Sequence, residues 1–144
     1  MARLSDVRRY IVMLTQDIGR CLLHTGDALG AERRFRTVID ESRHDLSSAV
    51  ATAYARIGLV MALLMQGRPT AARTAAIDAV PLLRSCGMLH GHSEVFAWLL
   101  VSLGRSHVAA VLLRTADAFR LTSGVARSQV QSKAYQIASE LLGA

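Results

Sequence analysis

Three glycines divide the chain at nearly regular intervals and constrain its fold more than any other feature. Each ends an apolar run, and each is followed five positions later by an alanine. They are Gly26, Gly67 and Gly104, with Ala31, Ala72 and Ala109. The intervals of 41 and 37 residues are typical of a two-helix repeat, in which each helical hairpin buries its apolar face by stacking on its neighbours.

The composition agrees with an all-α chain that forms one domain over residues 1–144. Of its 144 residues 51% are hydrophobic, only 5% are aromatic and two are proline. Alanine, leucine and arginine dominate, and the alternation typical of β-strands is nearly absent. A chain of this length can bury a substantial core.

The apolar periodicity predicts three hairpins, over about 4–43, 46–86 and 93–122, and a terminal helix over about 127–142. In the first helix the apolar positions follow the rhythm of an amphipathic helix. They are Val7, Ile11, Leu14, Ile18, Cys21 and Leu22. In the second helix, Asp27 is expected to cap the N-terminus, and the residues expected to point inward are Leu29, Ala31, Phe35, Val38 and Ile39.

Later turn signals complete this prediction. Pro69 suits the first turn of the fourth helix, whereas Pro81 should kink that helix or end it early. Ser106 can cap the sixth helix, and Gly124 should end it. We therefore expect a short right-handed solenoid of about three hairpins, whose seventh helix covers the final repeat.

The small-residue spacing resembles that of the tetratricopeptide repeat, stretched by longer helices. An inward position follows each glycine by nine residues and another by twelve. These positions are Phe35, Ala76 and Leu113, and then Val38, Ala79 and Ala116.

The stretch from Gly104 to Lys133 extends the resemblance. It reads GRSHVAAVLLRTADAFRLTSGVARSQVQSK and resembles the last repeats of large bacterial predicted ATPases and transcriptional regulators of the signal-transduction ATPase type. The resemblance implies a sensor or protein-interaction region that influences a nucleotide-dependent switch. The chain departs from that family because it has no P-loop: its only lysine, Lys133, follows Ser132 rather than a glycine-rich run.

The formal charge of +6 and the pI near 10.3 leave a nucleic-acid partner open. Residues 46–139 hold nine basic groups against three acids, but the arginines are scattered along the helices rather than clustered. A solvated outer face is the favoured interpretation. Nucleic-acid binding stays an alternative.

The remaining composition predicts a soluble cytoplasmic protein that makes no use of the membrane. The longest apolar runs, 57–65 and 95–101, are much shorter than the roughly 18 residues that span a bilayer. Cys21 and Cys86 are expected to be free thiols.

The sequence predicts neither an enzyme nor a cofactor. It has no G-x-S-x-G elbow and no catalytic cysteine context. Four residues form the only potential metal cluster: Cys86, His90, His92 and His107. Their spacing does not match an established zinc site, so a polar connector is the favoured interpretation and zinc binding the alternative.

A partner site is expected on the concave face, which the first helix of each hairpin lines. Tyr54 and Trp98 lie on such helices, and Trp98 is expected to be partly exposed there. With the neighbouring Arg56 and Arg105 they would hold a partner helix or peptide, which makes the chain a noncatalytic interaction module. An effector pocket between helices is a further alternative, and the two open ends of the solenoid are compatible with a homodimer.

Overall fold

The computed structural model describes residues 3–44 and 48–143, and within them the chain is all-helical. Seven α-helices and one short 3-10 turn, η1, follow one another. They are α1 (Leu4–Thr25), α2 (Ala28–Ser42), α3 (Ala49–Met65), α4 (Pro69–Ser85), η1 (His90–His92), α5 (Ser93–Ser102), α6 (Ser106–Ser123) and α7 (Gln129–Gly143). The predicted helices are confirmed within a few residues at each end, and none of the described residues is in a strand.

Local capping chemistry sets most of the helix ends. Gly26 follows α1 with φ of 87°, in the left-handed region, and its N–H is directed to the carbonyl groups of the last turn. The carboxylate of Asp27 accepts a hydrogen bond from the N–H of Gly30 at 2.8 Å, as predicted for an N-cap.

One of the predicted helix caps is wrong. Ser106 is the first residue of α6, and Arg105 holds the cap position without a side-chain bond. Of the two outcomes expected at Pro81, a kink or an early end, the early end does not occur, and α4 continues to Ser85, close to the predicted end of the hairpin at 86. The proline removes the bond to the carbonyl of Ile77, and both residues are exposed, so water can solvate that carbonyl.

The first four helices pack in chain order, each against the next, and α3 lies at the centre. It also contacts α1 and α5, and nearly all of its residues from Ala55 to Leu64 are buried. A helix that is apolar on more than one side is expected to be buried between neighbouring helices.

A single aromatic ring fills the junction of α1, α2 and α3. Phe35 is completely buried between two helical glycines. A Cβ atom placed on Gly58 would lie 2.3 Å from its Cζ, and one on Gly19 would lie 2.9 Å from its Cε1. The glycines therefore allow the backbones of α1 and α3 to approach the ring closely.

The last three helices form a second group around α5. This helix packs closely on α6 and α7 and only lightly on α3 and α4. The seventh helix, which was expected to cover the final repeat, packs mainly on α5, touches α6 lightly and reaches α1. There Lys133 Nζ donates to the carbonyl of Leu23 at 3.1 Å, in the last turn of α1.

The direction in which several apolar residues point differs from the prediction. The predicted apolar positions of α1 from Val7 to Cys21 face outward, whereas Val12, Gly19 and Leu23 are buried. Leu29 is also exposed, while its predicted companions from Ala31 to Ile39 are buried as expected. Periodicity thus identified the helices correctly, but the face that each buries depends on its neighbours.

None of the helices in the described part of the chain combines the length and the apolar character needed to cross a lipid bilayer.

Candidate functional site

A cleft of about 370 Å³ lies between α1, α3, η1 and the start of α7. The name 'the cleft' is kept below for the space between these four elements. Its described lining consists of Arg20, Leu23, His24, Tyr54, Ile57, Gly58, His92, Ser128, Gln129 and Val130. Apolar side chains from three helices are thus combined with polar groups, a composition typical of binding sites.

The wall that α7 provides is fixed by a reciprocal cap. The hydroxyl oxygen of Ser128 accepts a hydrogen bond from the N–H of Gln131, and the Gln131 side-chain oxygen accepts one from the N–H of Ser128. The Gln131 side-chain amide also donates to the carbonyl of Gly91 in η1. The start of α7 is therefore held directly against η1.

A buried carboxylate lies behind this wall. Glu94 is fully buried at the start of α5, and its Oε1 accepts hydrogen bonds from Arg127 Nε at 2.9 Å and Arg120 Nη2 at 3.4 Å. Arg127 also reaches Asp117 at 2.6 Å, and the hydroxyl of Tyr135 donates to Asp117 at 3.0 Å. We call Glu94, Asp117, Arg120, Arg127 and Tyr135 the Glu94 cluster, and it joins α5, α6 and α7.

Pairing within the Glu94 cluster raises the pKa of two of its side chains, Arg127 and Tyr135. Partial burial alone would lower the pKa of Arg127, but hydrogen bonds to Asp117 and Glu94 and their charges raise it above its ordinary value. The hydrogen bond to Asp117, together with burial, raises the pKa of Tyr135. Both side chains therefore keep their protons at neutral pH.

His92 separates the cleft from the Glu94 cluster. It is 7% exposed and meets the Tyr54 ring edge-on, with 5.9 Å between ring centroids and an interplanar angle of 87°. Burial, and then the positive charge of Arg120, lower the pKa of His92 to about 4. The imidazole is therefore neutral at pH 7.

Three buried polar atoms here have no hydrogen-bond partner among the described residues. They are His92 Nδ1, Glu94 Oε2 and Arg120 Nε. Buried polar atoms without a hydrogen-bond partner are rare in protein interiors. Their concentration beside the cleft distinguishes this region from the rest of the described core.

The four residues predicted for the partner site do not lie together. Tyr54 lines the cleft and is 43% exposed, whereas Trp98 is only 5% exposed. The expectation that Trp98 is partly exposed is wrong, because α5 is covered on several sides by α3, α4, α6 and α7. Arg56 borders grooves that face α2 and α4, and Arg105 is exposed before α6.

The side chains predicted as potential metal ligands also differ in how exposed they are. His92 is buried against Tyr54, whereas His90 and His107 are exposed. No group of three or more histidine, cysteine or acidic side chains within residues 3–44 and 48–143 is placed to hold a metal ion.

Two of the arginines that could bind an anion are already paired within the molecule. The carboxylate of Glu32 forms ion pairs with the guanidinium groups of Arg36 at 2.9 Å and Arg68 at 3.2 Å. It also accepts a hydrogen bond from the side-chain amide of Gln66 at 2.7 Å. Burial alone would raise the pKa of Glu32, but these hydrogen bonds and the two positive charges lower it below its ordinary value. These two arginines thus stabilise the α2–α3 side of the fold.

Sequence reasoning missed the contributions of Glu94 and Gln131 and the buried position of His92. The only available signal was an acid at the start of an otherwise apolar helix, and its partners lie 26 and 33 residues further along the chain. Pairing over such distances has no periodic signature.

No protein-family model matches the chain, and neither the curated proteins nor the solved structures contain a significant match.

Proposed function

We propose that the chain is a noncatalytic interaction module whose cleft binds a short segment of a partner protein. The observation that carries this proposal is the half-exposed ring of Tyr54 at the edge of a cleft with apolar walls. Exposed aromatic rings next to apolar pockets are common anchors for peptides.

The chemistry of the cleft favours a segment that carries an acidic side chain. Leu23, Ile57 and Val130 supply apolar surface, and Arg20 is the only residue with a full formal charge among the described lining residues. Arg20 and its neighbour Asp17 are both more than half exposed, and their 3.5 Å ion pair can exchange with a ligand carboxylate at little cost.

A binding role fits the cleft better than a catalytic one. The hydroxyl of Ser128 accepts the Gln131 N–H within the helix cap, and His92 faces the ring of Tyr54. The cleft lining thus offers surfaces for recognition rather than a nucleophile paired with a base.

The scaffold that carries the cleft is proposed to be tetratricopeptide-like and right-handed. Consecutive packing of α1–α4, and left-handed glycines after α1, α3 and α5, support this assignment. The resemblance to the sensor region of bacterial signal-transduction ATPases is retained as a proposal on the same grounds. Binding beside α7 would then bias the switch of such a regulator.

The proposal is tested by selecting random peptides on the full chain and measuring their affinity by calorimetry. We expect Tyr54→Ala to weaken the selected peptides at least about tenfold, or about 1.4 kcal/mol. Phe119→Ala is the matched control, because Phe119 is an aromatic side chain of similar exposure that lies outside the cleft. Peptides that bind both variants equally well would refute the proposal.

A small effector is a second candidate, because α7 closes one side of the cleft. A volume of about 370 Å³ lies within the range of small-molecule sites. A panel of aromatic carboxylates should then raise the melting temperature of the unmodified chain and of Phe119→Ala, but not that of Tyr54→Ala.

The nucleic-acid alternative has no specific observation in its favour. Arg36, Arg68, Arg120 and Arg127 are engaged by Glu32 and Glu94. It stays a prediction, and salt-dependent binding of DNA or RNA would identify it.

A further inference from the structure

One side of α1 carries an exposed apolar row with the spacing of a coiled-coil seam. Leu4, Val7, Ile11, Leu14 and Ile18 are between 44% and 76% exposed, and Cys21 continues the row. Successive members are separated by three, four, three, four and three residues. We call these six residues the α1 stripe.

The equivalent positions of α3 show that such a row is normally covered. Alignment on Gly26 and Gly67 pairs each residue of α1 with the residue 41 positions later. The exposed residues from Ile11 to Cys21 correspond to positions that are all buried in α3. Those positions are Thr52, Ala55, Leu59 and Ala62.

The inward side of α1 follows the same alignment. Val12, Gly19 and Leu23 are buried, and so are their counterparts in α3, Ala53, Val60 and Leu64. The two helices therefore have the same orientation relative to the core, and they differ in what covers the other side.

The spacing of the α1 stripe suits a helix as its partner. The central helix α3 packs between the hairpin before it and the elements after it, whereas α1 packs on α2, α3 and lightly on α7. Alternating three- and four-residue spacing is the pattern that receives the knobs of another helix. A flat or irregular partner would not use all six positions.

We propose that the α1 stripe binds the α1 stripe of a second copy of this chain, with the two helices antiparallel. The stripe is symmetric about the point midway between Ile11 and Leu14. A two-fold axis at this point therefore brings Ile11 opposite Leu14 of the second copy, and Leu4 opposite Cys21 of the second copy. Two-fold dimers with self-complementary surfaces are the commonest closed assemblies.

The flanking charges favour the antiparallel direction. In a parallel pair, Arg3 and Arg8 of the two copies would face each other across the seam, and like charges there oppose pairing. In the antiparallel pair, Tyr10 instead lies near Asp17 of the second copy, where its hydroxyl can donate to the carboxylate. Arg8 lies near Thr15 of the second copy.

The dimer leaves the lining of the cleft uncovered. Arg20, Leu23 and His24 of α1 face the cleft, on a different side of the helix from the stripe. Both cleft openings of the dimer therefore stay accessible, and the two proposals can fail separately.

The oligomeric state of the full chain tests this inference. Sedimentation analysis should find about twice the 15.6 kDa chain mass, and Leu14→Glu should return the protein to one chain mass. Leu121→Glu is the matched control, since Leu121 is the more exposed of the two leucines and lies on α6. A monomer at millimolar concentration, or a dimer that survives Leu14→Glu, overturns the proposal.

A covalent test determines the direction of the helices. Under mild oxidation, Leu4→Cys should form a disulfide-linked dimer through Cys21 of the second copy, and Cys21→Ser in the same chain should abolish it. A parallel pair would instead link the unmodified chain through its two Cys21 residues. That result, or a dimer that Leu4→Cys never links, overturns the antiparallel arrangement.

Folding of the variants is checked by circular dichroism. Leu14 is exposed and glutamate is a good helix former, so the helix content should not change. Ile18→Lys is a second variant on the same stripe and must also give one chain mass. A dimer that persists in Ile18→Lys overturns the proposal as well.

Discussion

The junction of α1, α2 and α3 and the junction of α5, α6 and α7 are built on opposite chemistry. The first is filled by the ring of Phe35 between two glycine backbones. The second surrounds the carboxylate of Glu94, which is fully buried and receives two arginines. The apolar junction gains from close packing alone, whereas the charged junction is stable only while every partner is present.

This difference has a consequence for how the two halves fail. Loss of packing at Phe35 should weaken the whole central core, because Phe35 joins three helices around α3. Loss of charge pairing at Glu94 should act on α7 first, because α7 begins beside Arg127 and has few other contacts outside α5. Three substitutions examine this comparison.

The largest effect is expected for Phe35→Ala. The substitution leaves a cavity between Gly19 and Gly58, where the helix backbones cannot close in completely, and should lower the free energy of unfolding by about 4 kcal/mol. Urea denaturation measures this change. The control is Phe119→Ala, at an exposed phenylalanine on α6, and it should cost less than about 1 kcal/mol. Equal costs would show that the ring does not organise the core.

Glu94→Gln should have the next largest effect. It keeps the shape of the side chain but leaves Arg120 and Arg127 without their buried counter-charge, at a cost of about 3 kcal/mol. Hydrogen exchange should show loss of protection in α7 while α3 stays protected. Glu140→Gln is the control, since that carboxylate is exposed on α7 outside the Glu94 cluster, and the change should cost less than about 1 kcal/mol. Uniform loss of protection in both helices would contradict a separate charged junction.

The smallest effect is a pH dependence from His92. Its pKa is about 4 in the folded chain and near 6.5 when unfolded, so protonation favours the unfolded state. Its contribution is complete above pH 6.5 and is lost as the pH falls towards 4, with about 2 kcal/mol lost at pH 5. His92→Gln should remove this part of the acid sensitivity, as followed by melting temperature against pH.

The exposed His90 is the matched control for this measurement. His90→Gln should keep the pH profile of the unmodified chain, because that side chain is solvated. If His92→Gln and His90→Gln have the same profile, burial beside Arg120 does not determine the charge state of His92.

The parts of the fold that depend on nearby residues were predictable from the sequence. Gly26 must adopt a left-handed conformation, and the Asp27 carboxylate reaches an N–H three residues away, so both signals are contained in a few positions. The inward positions of α2 from Ala31 to Ile39 were likewise correct, because that helix is covered on one side only.

The positions of residues relative to distant elements were not predictable in the same way. The apolar spacing of the helix around Trp98, like that of the α1 stripe, is compatible with burial and with exposure. Which one occurs depends on whether another helix arrives: α7 packs on α5, whereas none of the described helices covers the stripe. The cleft could not be predicted from the sequence either, because its walls come from four elements that are distant along the chain: α1, α3, η1 and α7. Of the four predicted site residues, only Tyr54 lines it.

The hydrogen bond from Lys133 to the carbonyl of Leu23 has a consequence for the order of events during synthesis. The two residues are 110 positions apart, so at ribosomal rates Lys133 follows Leu23 by about 5–20 s. During that interval α1 to α4 can already pack, while the carbonyl of Leu23 does not yet have the ammonium group of Lys133 as its hydrogen-bond donor. The wall of the cleft that α7 forms is therefore added only after the helices that provide the opposite wall have been synthesised.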